Sequence, residues 1–291
     1  WNPYFVVLAL SLLAISTTTY HPPAYGAVSQ MFQERKSRAL GVHGAGGTLG
    51  WALGPLSVGA LLNVGWRSVY LLWIPPTLLC VFLLTRMKPL ETTISRSNER
   101  PEGSVKSVLT TGLLIVLSMI AINSMGRQIV STLTSPYVVL ARGFTVQEAS
   151  YIMGAMSLTG IIAAPIGGLF ADKLGERKWL TMTMTASTLA LIVFIRTETI
   201  SMLLLCAVAY GYLVYSGMGA TAALISYFTP VSRRGLGYAL FFLPSYVVGA
   251  VAPVVGTTLA ESYGIWTSFS LAAAFLAAAV IVLQRIPIGK R

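Results

Sequence analysis

The sequence predicts an all-α protein that crosses a membrane many times, and three observations carry that prediction. Only 10% of the residues are charged, against about 25% in soluble domains, while 55% are hydrophobic and the mean hydropathy is +0.74. The charges that exist are bunched, leaving long stretches free of Asp, Glu, Lys and Arg. The basic residues also fall almost entirely on one side when successive stretches are laid back and forth. A large buried core could explain the composition, but not the length of the uncharged runs, because a span needs about 20 apolar residues to cross roughly 30 Å of hydrocarbon. Barrel strands would be about ten residues long with alternating polarity, and these stretches do not alternate.

In order, the stretches are Trp1–Gln33, Ala39–Trp66, Ser68–Thr85, Ser107–Gly126, Ala149–Ala171, Trp179–Ile195, Thr199–Ser232, Gly235–Ala260 and Ser262–Gln284. Nine stretches predict nine transmembrane helices. With the loop Glu34–Arg38 placed in the cytoplasm, sixteen of the twenty Lys and Arg fall on that side. Arg67, Arg142 and Arg196 lie opposite, and Arg127 sits in or near a span. This is the positive-inside bias. It makes the net charge of +11 a topological signal and removes any need for a nucleic-acid partner. The expected home is an integral membrane protein of a prokaryotic plasma (inner) membrane, with the lipid bilayer as partner and the C-terminus in the cytoplasm.

Cys80 and Cys206 lie far apart inside apolar stretches and read as small buried hydrophobes. The chain opens at Trp1 without Met or a basic leader, so the first stretch does not read as a signal peptide.

An internal repeat organises the chain. Phe32, Arg38, Leu40, Gly41 and Pro55 find counterparts in Phe228, Arg234, Leu236, Gly237 and Pro253, about 196 residues on, and each copy ends in a Gly/Trp turn (Gly65-Trp66; Gly264-Ile265-Trp266). That distance covers six spans, and parallel duplication of a six-helix half is a transporter architecture. The polar stretch Lys88–Lys106 then reads as a cytoplasmic linker. It separates a partial three-helix bundle (1–87) from a six-helix bundle (107–291), with three spans expected to precede Trp1.

Between the fifth and sixth stretches stands Gly168-Leu169-Phe170-Ala171-Asp172-Lys173-Leu174-Gly175-Glu176-Arg177-Lys178. This resembles the signature loop of the major facilitator superfamily, whose pattern maps onto Gly168, Ala171, Asp172, Lys173, Gly175 and Arg177. Phe170 replaces the usual Leu, and Glu176 stands where a basic residue is common. The resemblance implies a twelve-helix fold of which the fourth to twelfth helices are present, and a secondary carrier that works by alternating access. Asp172 reads as a gating charge that accepts from Arg177 or caps a neighbouring helix, with Lys173, Arg177 and Lys178 around it.

The second stretch carries Gly46, Gly50 and Gly54 on one helical face, where backbones can approach closely, followed by Pro55. Gly50-Trp51-Ala52-Leu53-Gly54-Pro55 is similar to the fifth-helix motif of exporters and antiporters in this superfamily. Tyr20-His21-Pro22-Pro23-Ala24, with the glycine run, resembles the fosmidomycin-resistance branch of efflux carriers. The resemblance implies efflux or antiport of a drug-like or organic anionic metabolite.

Ionisable groups inside the bilayer are functional candidates. His21 lies twelve residues from the inner end of its stretch, about 18 Å at 1.5 Å per residue, and Pro22 and Pro23 are expected to break the helix there. Tyr20 and His21 therefore read as substrate-binding. His43, at the cytoplasmic start of its span, reads as structural. Asn123, Arg127 and Gln128 fall on what the resemblance makes the seventh helix, which typically lines the cavity. Arg127 either attracts a substrate anion or, if its helix starts near Ser107, snorkels at the outer end. Tyr215 is a further cavity candidate. No carboxylate lies mid-span, so proton coupling would fall to His21 or to helices before Trp1.

No phosphate-binding Gly-Lys-Ser/Thr loop, acidic pair or metal cluster is visible, so no cofactor, metal or enzyme activity is expected. A small-molecule substrate, protons as a candidate coupling ion and a monomeric state are the expected partners. A non-transporting receptor or scaffold, or an uptake carrier for organic anions such as monocarboxylates, is the competing reading.

Overall fold

The computed structural model describes residues 2–86 and 108–287, and among them every predicted stretch is helical. The helices are α1 (Pro3–Met31), α2 (Lys36–Leu61), α3 (Trp66–Leu72), α4 (Ile74–Arg86), α5 (Thr111–Pro136), α6 (Val146–Leu158), α7 (Gly160–Leu174), α8 (Glu176–Phe194), α9 (Ile200–Ser216), α10 (Met218–Phe228), α11 (Arg234–Tyr263) and α12 (Ile265–Gln284). The pairs α3/α4, α6/α7 and α9/α10 are single membrane-length segments interrupted at Trp73, Thr159 and Gly217, and α5 runs on through a π turn, Tyr137–Ala141. The predicted linker Lys88–Lys106 lies outside the described residues.

Seven helical segments are long and apolar enough to cross a membrane among the described residues. The two predicted spans outside that set are α2 and α8. Both are long helices, of 26 and 19 residues. Their shortfall is one of apolarity: α2 carries seven glycines among its 26 residues, and α8 opens on Glu176, Arg177 and Lys178 before a Thr-rich run.

Pro22 and Pro23 do not break α1, contrary to expectation; the helix is continuous from Pro3 to Met31. Each proline removes one donor from the ladder. The threonine hydroxyls nearby stay within the helix, Thr18 donating to the Ile15 carbonyl at 2.8 Å and Thr19 to Ser16 at 2.7 Å. The carbonyls that Pro22 and Pro23 leave without a ladder donor are those of Thr18 and Thr19, which these bonds do not serve.

Three helix-to-helix corners turn on a glycine with positive φ, namely Gly65 (117°), Gly175 (87°) and Gly264 (87°). Each is the N-cap of the next helix. L side chains rarely adopt that conformation, which is why the corners repeat glycine.

Residues 108–287 form a bundle in which α5 packs on α11 and α12, α8 on α9 and α12, and α7 on α9. One hydrophobic cluster fills the end that carries the signature loop, around Leu113, Leu180, Leu224, Tyr238 and Leu283. A second fills the opposite end, around Ile129, Tyr137, Phe194, Leu203 and Phe269. The earlier helices lie against this bundle: α2 along α6, α7 and α10, and α1 along α11. Along α2 the approach is backbone to backbone. A Cβ built on Gly41 would stand 2.3 Å from the Ala164 carbonyl oxygen, and one on Gly168 or Gly219 would stand 2.4 or 2.1 Å from that of Ser37. Only glycine permits this spacing.

Candidate functional site

The N-terminus of α2 needs outside help. Its N-cap is Arg35, which makes no side-chain cap bond, and its first turn holds no acidic residue. The first peptide N–H groups of a helix point outward unpaired and carry partial positive charge. Asp172, arriving at the end of α7, supplies the missing acceptor: the Ser37 N–H donates to Oδ1 and the Arg38 N–H to Oδ2, each at 3.1 Å. A helix cap normally comes from the residue just before the helix; here it comes from 135 residues away. Of the two partners that the sequence left open for Asp172, the structure selects the helix end. Arg177 instead donates to the Ile286 carbonyl, after α12.

Glu176 joins the same cluster. It is only 7% exposed, and its Oε1 accepts from the Tyr227 hydroxyl at 2.7 Å and the Ser37 hydroxyl at 3.3 Å. Lys36 stands 5.6 Å over the Tyr227 ring. Gly168 allows the close approach to Ser37, and Gly175 makes the corner between α7 and α8. Lys173 and Lys178 are exposed. A parallel tether joins α1 to α11 and the turn before it: buried Arg234 donates to the Ser29 carbonyl at 2.9 Å, and Gln30 to the Val231 carbonyl at 3.3 Å.

The predicted substrate residues fall into three groups. His21 stacks on Phe242 of α11 (ring centroids 5.2 Å apart, planes 24°) and meets Tyr25 edge-on at 6.3 Å. His43 joins from α2, 5.2 Å from Tyr25 and 6.0 Å from Tyr20. The ring cluster therefore spans α1, α2 and α11, with Tyr20 57% exposed at its edge. Arg127 stands sixteen residues after Thr111 and fourteen before Ala141, at the middle of its helical segment. Asn123, Arg127 and Gln128 are half-buried on α5, and neighbouring Ser124 pairs with Ser245 of α11 at 3.1 Å. Tyr215, on α9, reaches Ser157 at 3.5 Å. A cleft of about 610 Å³ between α5 and α12, lined by Thr111, Ser118 and Arg285 among others, includes none of these residues.

Among the described residues, the stripe Gly46, Gly50, Gly54 has no neighbour within 4 Å of where side chains would begin. The face of α2 that packs is Ser37, Leu40, Gly41, Gly44, Thr48, Ala52 and Gly59. Pro55 lies within α2 and is half-buried. Sequence reasoning missed Tyr25, Glu176 and Tyr227 and placed His43 outside the site. Their partners are distant in sequence, and Glu176 registered only as a departure from the motif.

Fold and site define a helical membrane protein whose two stretches of chain are clasped at one end by a charged loop. A family model of the Major Facilitator Superfamily matches residues 1–122 and 116–288, and the chain belongs to that family. It is similar to the agnestins efflux protein AgnL12 of Paecilomyces divaricatus, 23% identical over 284 residues, covering 87% of this chain and 61% of that protein. It is also similar to the riboflavin transporter RibZ of Clostridioides difficile (strain 630), 23% identical over 261 residues, covering 71% of this chain and 56% of that protein. A third relative is the uncharacterized MFS-type transporter YuxJ of Bacillus subtilis (strain 168), 25% identical over 143 residues, 49% of this chain and 36% of that protein. The chain spans about 60% of the length of the first two relatives.

Proposed function

We propose that this chain is part of a secondary transporter that moves a small organic anion by alternating access, in the efflux direction. Membrane transport follows from the family. The observation that carries the mechanistic reading is the capping of α2 by Asp172. That bond exists only while the loop end is closed, and breaking it leaves two N–H donors and a carboxylate to be resolvated, so it biases one of two packings. On this reading the loop end is cytoplasmic, α2 and α8 cross the bilayer as the second and sixth of nine spans, and residues 1–87 and 107–291 act as separate bundles.

The anionic preference rests on Arg127. A guanidinium at mid-span is costly unless a counter-charge meets it, and the described carboxylates all stand at helix ends or in turns. The ring cluster around His21 and the Asn123–Gln128 stretch would line the substrate's path, with Tyr215 opposite. Proton coupling through His21 and a monomeric state complete the reading. The efflux direction draws on the name of the agnestins relative and on the Gly54-Pro55 motif.

The test is flux into vesicles by the protein carrying this sequence, with riboflavin and benzoate as probes. Asp172→Asn is expected to slow turnover several-fold while membrane insertion is unchanged. Equal turnover in the variant would remove the gating role. Arg127→Ala is expected to abolish benzoate movement, and retained movement would sink the anion reading.

A further inference from the structure

Two residues of the signature loop depart from the superfamily pattern, Phe170 and Glu176, and both make contacts that lead to α10. Phe170 stacks on Trp179 of α8, ring centroids 5.2 Å apart and planes at 16°. The Trp179 indole N–H donates to the Ser216 carbonyl at 3.0 Å. Ser216 ends α9 and Met218 begins α10, so this carbonyl sits at the break in the α9/α10 segment. In hydrocarbon a peptide group at such a break needs a substitute partner, and Trp179 provides one. The same break is hemmed in on two sides. Gly167 approaches so closely that a Cβ there would stand 2.0 Å from the Ser216 oxygen, while Leu180 and Thr183 would lie 3.1 and 3.4 Å from a Cβ on Gly217.

The other end of α10 is held by the same turn of α8. Tyr227 donates to Glu176, which also accepts from Ser37 of α2. Eleven residues separate Ser216 from Tyr227, about 16 Å along a helix. One short stretch of α8 thus grips α10 at the clasp and at the break, next to Tyr215.

We propose that Phe170, Glu176, Trp179 and Tyr227 are positioning residues that make α10 a strut, so that the state of the clasp at Ser37 is transmitted to the break beside Tyr215. The inference goes beyond the transport reading, and its test needs no substrate. In protein lacking its native cysteines (Cys80→Ser, Cys206→Ser), two reporters are placed separately: Ala223→Cys, buried on α10, and Ser157→Cys, opposite Tyr215. N-ethylmaleimide labelling rates in membranes are then compared. Tyr227→Phe deletes only the hydroxyl that meets Glu176. It is expected to raise labelling at both reporters by about fivefold, the scale of one lost hydrogen bond.

Trp179→Phe is expected to do the same, and the two together no more than the larger single effect. Phe170→Leu, the superfamily's usual residue, should give a smaller rise at both sites and serves if the tryptophan variant inserts poorly. A rise confined to Ala223→Cys, no rise at either reporter, or effects that multiply would each overturn the strut. Coupled labelling without flux in the vesicle assay would sink the transport reading and leave the strut standing.

Discussion

Asp172 and Ser37 form the junction on which the clasp depends. The carboxylate faces the N2 and N3 amides of α2, the positions that an N-cap side chain normally serves. Removing such a cap costs about 1 kcal/mol, and Asp172→Ala should therefore open the loop end about fivefold more often. The measurement is the labelling rate of a cysteine buried between α2 and α10. Asp172→Asn keeps one acceptor oxygen but loses the charge that favours a helix N-terminus, so it should fall between the wild type and alanine. The aspartate was legible in the sequence because the surrounding pattern named it. Its partner was not: a peptide amide carries no side-chain identity, so nothing at position 37 or 38 marks it as the acceptor's target.

Among the elements, α2 separates what a pattern can reveal from what it cannot. Small residues run along two of its faces, Gly41/Gly44/Thr48/Ala52 and Gly46/Gly50/Gly54, and spacing alone could not say which one packs. The structure puts the first against α6, α7 and α10 and leaves the second without neighbours among the described residues. The two faces should therefore respond oppositely to added volume. Gly41→Ala drives a methyl into the Ala164 carbonyl, and overpacking of this kind costs about 1–3 kcal/mol. In this chain, Gly46→Ala meets nothing and gains up to about 1 kcal/mol of helix propensity. Thermal unfolding in detergent should show a lower midpoint for the first and an equal or higher one for the second. The prolines of α1 teach a related lesson. The rule that proline ends a helix is weighted by water's readiness to take the freed carbonyls, and hydrocarbon offers no such outlet, so the helix continues.

At the scale of the molecule, the uncharged stretches carried the helical architecture of the described residues. Each predicted stretch became a helix because a bilayer-length apolar run has no other way to satisfy its backbone. In α2 and α8 the small and hydroxylated residues that fit among their neighbours lower the apolar average. The nine-span topology predicts opposite sides for two corners: a reporter inserted after Lys173 should read as cytoplasmic, and one inserted after Thr197 as external. Both reading alike would overturn the crossing assigned to α8. For the candidate substrate residues, the sequence could name positions but not their arrangement. His21, Arg127 and Tyr215 lie on three different segments, and only the fold reveals that α11 stands between the first two, touching the His21 ring through Phe242 and the Arg127 helix through Ser245.

The grip on α2 has a consequence for how the sequence can drift. Most of what is held is main chain: two amides taken by Asp172 and one carbonyl seated against Gly168 and Gly219, with the Ser37 hydroxyl as the side-chain exception. The side chains of Arg38 and Val42 point outward and take no part in that seat. Mutational tolerance in a saturation library should therefore be inverted from the usual pattern. The gripped helix accepts many residues at positions 38 and 42, while the gripping elements accept almost nothing at 168, 172 and 219. A closure written in peptide groups is inherited intact even as the helix it closes on changes its surface.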